Sequence, residues 1–209
     1  MVKSIGGGSR IYNRLIDVLI LCTANQCRSP MAEAMLRHRL EAQGVSATVS
    51  SAGLYPAGHP AMGYAVQVMA DRGLDLEPHR SRQLGADLLA QADLVLGMTR
   101  EHVREVAVLD AAALGKTFTL KELVRAGLDA GPRRRGESVA AWLSRVGAGR
   151  RREALLGVGH DPEFDVDDPA GRPVADYEDT ADELESLIDR LVLLVWPAGV
   201  DDGAAERSA

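Results

Sequence analysis

Short apolar runs alternate along this chain with stretches in which apolar residues return every three or four positions. Residues 16–21 (IDVLIL) are apolar on both faces, the pattern of a strand buried in a parallel sheet. After a loop, Ser29-Pro30 predicts a helix start, because Ser is a favoured N-cap and Pro a favoured first helical residue. Ala32, Met35, Leu36, Arg39 and Leu40 then recur at helical spacing. Residues 47–51 predict a second strand ending at Ala52-Gly53. Residues 60–72 predict a helix stopped by Gly73, and residues 86–91 a short helix leading into a strand over 94–96. A helix over 100–108, a strand over 116–118 and a short helix over 139–146 follow. The last element is a helix over 180–195, where Leu184, Leu187, Ile188, Leu191, Val192 and Val195 form one apolar stripe.

Strands alternating with helices predict an α/β fold, a three-layer sandwich around a four-stranded, mainly parallel sheet. Ligands in such folds bind at the carboxyl ends of strands, and the loop that starts at Cys22 lies at such an end. Residues 15–196 are expected to form one domain, with a flexible leader over 1–14 (Gly6-Gly7-Gly8-Ser9) and a flexible tail over 197–209.

Composition narrows the chemistry. Aromatics are only 4% of 209 residues, so the core must rely on Leu, Val, Ile and Ala. A net charge of -6 argues against a nucleic-acid partner for the whole chain. Charge is also uneven: residues 129–160 carry 7 basic and 3 acidic side chains, residues 161–209 carry 3 and 15. No apolar run reaches the roughly 20 residues that span a bilayer. Lys3, Arg10 and Arg14 precede an apolar run too short for a secretory signal, and Leu21 before Cys22 is too bulky for lipoprotein-type processing. A cytoplasmic protein with reduced thiols and no membrane partner is expected. Two cysteines, Cys22 and Cys27, cannot build a disulfide scaffold or a four-thiolate zinc site, which leaves redox or nucleophilic chemistry.

The informative stretch is LCTANQCRSP, residues 21–30. A thiol ends a buried strand, five residues follow, and Arg28-Ser29 open a helix. Successive backbone N–H groups of Thr23, Ala24, Asn25, Gln26, Cys27, Arg28 and Ser29 can then curl around an anion at the positive end of the helix dipole. That field favours thiolate over thiol at Cys22, and Arg28 can meet two phosphate oxygens bidentately. Ser29 can donate to the thiolate or cap the helix. A buried structural thiol is the competing reading of Cys22.

Cys-x5-Arg-Ser in this setting resembles the low-molecular-weight protein tyrosine phosphatase family. Further echoes follow in order: SSAG at 50–53, RGLDLEPHRSRQL at 72–84, ADLVLGM at 92–98 and DVDDPAGR at 165–172. The resemblance covers roughly residues 16–128 and 161–196. It implies a cysteine-dependent phosphatase acting, without metal or cofactor, through a phosphocysteine on phosphotyrosine proteins or small aryl phosphates. Cys22 would be the nucleophile, Arg28 the phosphate clamp, Ser29 the thiolate partner, Asn25 a shaper of the loop, His79 its support and Asp168, before Pro169, the general acid. Asp161-Pro162 is an alternative acid pair. Cys27 would form a reversible disulfide with Cys22. Arsenate reduction resolved by an external small thiol, and non-catalytic phosphate binding, are the other functions such a loop permits.

The chain also departs from the family. Ala24 replaces a common glycine, at a cost of about 1 kcal/mol or more if that position needs a positive φ. Ala170-Gly171 follow the Asp-Pro pair where aromatics are usual, so a ring wall would have to come from Tyr177 or Tyr55. Met98 is followed by Thr99 where relatives have Asp. The basic insertion, with Arg133-Arg134-Arg135 and Arg150-Arg151-Arg152, reads as a solvated surface segment or as a docking arm for an acidic partner, this chain's own C-terminal region included.

Overall fold

A computed structural model describes residues 15–150 and 159–199. Four strands, β1 (Ile16–Cys22), β2 (Ala47–Gly53), β3 (Leu94–Gly97) and β4 (Thr117–Thr119), form one sheet in the order β2-β1-β3-β4. Every pairing is parallel. Because β1 lies between β2 and β3, the connections leaving its two sides diverge at its carboxyl end and open a crevice there. Cys22 sits at that end, in register with Gly53.

Seven α-helices lie in the described residues: α1 (Arg28–Ala42), α2 (Gly63–Asp71), α3 (Ala86–Gln91), α4 (Arg100–Leu109), α5 (Leu120–Ala130), α6 (Val139–Val146) and α7 (Val174–Val195). Alternation along β1 separates the two faces of the sheet. Val18, Ile20 and Cys22 join a large core with Leu36, Met69, Trp142, Leu184 and Leu191. Leu19 and Leu21 join a smaller one with Leu89, Val95 and Val106. The three-layer α/β sandwich expected from the alternation is the architecture found.

Three helix starts differ from expectation. α1 begins at Arg28, one residue ahead of Ser29, and Cys27 occupies the cap position. Pro30 therefore sits in the first turn, where a missing N–H still costs nothing, and Ser29 is left to other work. α2 begins at Gly63 because Pro60 pairs as an isolated bridge with Arg80. α7 begins six residues before Thr180: its first turns carry Asp176, Glu178 and Asp179, favourable at a positive helix end but outside any apolar stripe. α5 was not anticipated, although Thr119 and Glu122 form a reciprocal capping box before it.

The basic segment is not a solvated insertion over its described part. Trp142 of α6 is fully buried, and its indole N–H donates to Gly131 O over 3.1 Å. Arg133 Nε donates to Val195 O at the end of α7 over 2.6 Å. Arg150 pairs with Glu122 through two bonds of 2.8 and 2.9 Å and stacks 3.9 Å from the Phe118 ring centre. Arg134 and Arg135 stay exposed. Arg151 and Arg152, the leader and most of the tail lie outside the described residues. Among the described residues no helix is long and apolar enough to cross a membrane.

Candidate active site

Residues 22–28 link β1 to α1 as a loop whose carbonyls are held from outside. Leu54 N–H and Tyr55 N–H donate to Thr23 O (2.7 and 3.2 Å), His79 Nε2 donates to Asn25 O (2.7 Å), and Met62 N–H donates to Gln26 O (2.8 Å). In a trans peptide the following N–H points opposite to the carbonyl. The N–H groups of Ala24, Gln26 and Cys27 therefore turn to the inner side, lining a concavity at the N-terminus of α1 with donors.

Asn25 is the one non-glycine residue with positive φ, 54°, among the described residues. Asn tolerates that region better than most side chains. Ala24 does not adopt it, so the penalty expected for the missing glycine does not arise. The glycine that matters is Gly53: a Cβ there would stand 2.7 Å from Asn25 N and 2.9 Å from both Ala24 C and Thr23 O.

Asn25 also organises the side chains beneath the loop. Its Oδ1 accepts from Arg82 N–H (2.8 Å), and its Nδ2 donates to Ser51 Oγ (2.7 Å) and Ser29 Oγ (2.9 Å). With that lone pair engaged, the Ser29 hydroxyl proton is directed to Cys22 Sγ, 3.0 Å away. Ser51 in turn donates to Glu33 (2.6 Å). Burial, the neighbouring Cys22 and Asp168 push the Cys27 thiol pKa well above its ordinary value, and its Sγ rests 3.8 Å from Met31 Sδ.

Arg28 is 3% exposed; Nη1 donates to Val166 O (3.1 Å) and Nη2 pairs with Asp168. The Asp168 side chain is 45% exposed, and its other oxygen accepts from Ala170 N–H. Asp161 is elsewhere, paired with Arg100 and capping its own turn. A cleft of about 310 Å³ opens beside the loop, lined by Thr23, Arg28, Glu101, His160 and Asp168 among others. Tyr177 is buried, its hydroxyl donating to Met62 Sδ and its ring packed at a steep angle to Tyr64 at 5.5 Å, and it does not line this cleft; Tyr55 is exposed.

The fold thus assembles Cys22, Asn25, Arg28, Ser29, His79 and Asp168 as the sequence suggested. It adds Ser51 from β2, Arg82 from the 72–84 segment and His102 from α4, which reach the loop, with Glu33 of α1 behind Ser51. Ser51 and Arg82 lie inside blocks that carried the resemblance; a polar residue at the buried end of a strand was the available signal.

The family model for low molecular weight phosphotyrosine protein phosphatase matches residues 17–130. The probable low molecular weight protein-tyrosine-phosphatase EpsP of Ralstonia solanacearum is 42% identical over 113 residues, 54% of this chain and 75% of that protein. The protein-arginine-phosphatase of Bacillus subtilis is 31% identical over 177 residues, 84% of this chain and 94% of that protein. A structure of the YwlE arginine phosphatase, as a mutant with a phosphorylated active-site serine, has a TM-score of 0.65 at 31% identity, covering 84% of this chain and 93% of that one. With the model spanning more than half its length and the same strand-loop-helix site in place, the chain is a phosphatase of the low molecular weight phosphotyrosine protein phosphatase family.

Proposed function

We propose that Cys22 is the nucleophile, Arg28 the phosphate clamp and Asp168 the general acid of a phosphatase acting on phosphotyrosine proteins or other aryl phosphates. The observation that carries this reading is the Ser29 hydroxyl donating to Cys22 Sγ over 3.0 Å inside a loop whose inner side is lined by N–H groups. Phosphoryl oxygens take the inward N–H groups and Arg28, which leaves Asp168 for its neighbour, the leaving oxygen. The Cys22 thiolate forms an S–P bond as the P–O bond to the leaving group breaks, and Asp168 gives that oxygen a proton. Asp168 then takes a proton from water, the hydroxide attacks phosphorus, and the S–P bond breaks to return thiolate and inorganic phosphate. Reduced thiol is required throughout, which fits a cytoplasmic setting.

A phosphoarginine substrate is the second reading. It is supported by the relative matching most of this chain being named a protein-arginine-phosphatase, and by Ala170-Gly171 standing where an aromatic wall would follow the acid. The test is metal-free turnover of 4-nitrophenyl phosphate, a phosphotyrosine peptide, a phosphoarginine peptide and, with thiol, arsenate. Cys22→Ser must abolish hydrolysis. Asp168→Asn must slow substrates with poor leaving groups most, a pattern Asp161→Asn must lack. Substantial turnover by Cys22→Ser overturns the mechanism, and a higher kcat/KM on phosphoarginine selects the second substrate.

A further inference from the structure

A fixed chain of hydrogen bonds runs from Thr99, which opens α4, to Thr23 in the phosphate loop. Thr99 N–H donates to His102 Nδ1 over 3.0 Å, so Nδ1 is an acceptor and bears no proton. The Thr99 hydroxyl, 2.8 Å from the same atom, is a second donor to it. His102 is fully buried, and burial together with the positive Arg28 lowers its pKa to about 3. The ring is therefore neutral at ordinary pH, with its single proton on Nε2. That atom lies 3.3 Å from Thr23 Oγ1. Thr23 accepts on this side, and its own hydroxyl proton is directed away from the ring.

Two observations place this hydroxyl beside the cleft. The Thr23 carbonyl is pinned by Leu54 and Tyr55 N–H, which fixes the residue's backbone. Thr23 also lines the cleft beside Arg28 and Asp168. We propose that Thr23 donates its hydroxyl proton to a phosphoryl oxygen of the substrate, and that His102 is the positioning residue that gives this hydroxyl its polarity. The proposal rests on the reading of the loop as the phosphate site. It explains why a histidine that neither titrates near neutrality nor touches the cleft is buried between α4 and the loop.

Steady-state kinetics on 4-nitrophenyl phosphate test it. Thr23→Val lowers kcat/KM about tenfold, the scale of one hydrogen bond, and Thr23→Ser, which keeps the hydroxyl, recovers most of that loss. His102→Asn keeps an acceptor for Thr99 N–H but is too short to reach Thr23, and lowers kcat/KM to a similar extent. The double substitution is no worse than Thr23→Val alone, because both remove the same donor. Unchanged kcat/KM in Thr23→Val, or losses that multiply in the double variant, overturn the proposal. Should His102→Asn fail to fold, Thr23→Val against Thr23→Ser decides it. Cys22→Ser is measured alongside: its inactivity combined with an unaffected Thr23→Val sinks only the role of Thr23, whereas residual turnover sinks the site reading itself.

Discussion

Cys27 and Cys22 sit in one loop but in different electrostatic company. Cys22 Sγ accepts a hydrogen bond from the Ser29 hydroxyl, whereas Cys27 is packed against Met31 with its pKa driven up by burial. A protonated thiol attacks sulfenic acid slowly. Peroxide is therefore expected to oxidise Cys22 first, with capture by Cys27 as a slow second step; Cys27→Ser should make the inactivation harder to reverse with dithiothreitol. Activity recovered against time after a peroxide pulse checks this, and equal recovery of both proteins removes Cys27 from redox control. Gly53 is the second single-residue test. Gly53→Ala forces a methyl into the backbone of residues 23–25, so kcat should fall about a hundredfold, as for a catalytic group displaced by roughly 1 Å, while the protein stays folded.

At the level of elements, the basic segment acts as a buttress. The Arg150–Glu122 pair is largely buried and joins the segment after α6 to the first turn of α5. Arg150→Ala strands the Glu122 carboxylate and should cost about 3 kcal/mol in urea unfolding, with kcat unchanged. Arg150→Met with Glu122→Gln should recover much of it, because an apolar stem can still cover Phe118. No run of charge in the sequence distinguishes such an arginine from a solvated one, since its partners are 28 and 32 positions away. The strands, α1, α4 and α6 were legible because their signals are local. The first turns of α7 were not, because they are acidic and carry no apolar stripe, and α5 is announced only by the Thr119–Glu122 cap before it. The loop was readable as one contiguous motif; Ser51, Arg82 and His102 join it only through tertiary contacts.

For the whole molecule, the buried His102 couples folding to pH. Its folded pKa of about 3 lies below the ordinary value of 6.5, so the unfolded chain takes up a proton as pH falls through 6.5 while the folded chain does not. Stability is lost on acidification across that window, by about 1.4 kcal/mol between pH 7.5 and 5.5. His102→Asn should flatten this part of the profile, read as the difference between the two proteins' urea midpoints at both pH values. An identical slope in the variant would mean that other groups carry the acid sensitivity. The parallel register that sets Gly53 beside Cys22 reaches further still. Glycine is encoded by GGN, and any change at the first two bases of that codon installs a side chain or a stop. Position 53 is thus one nucleotide from failure along every such route, and a population carrying this enzyme should show only synonymous variation there, although the residue takes no part in the chemistry.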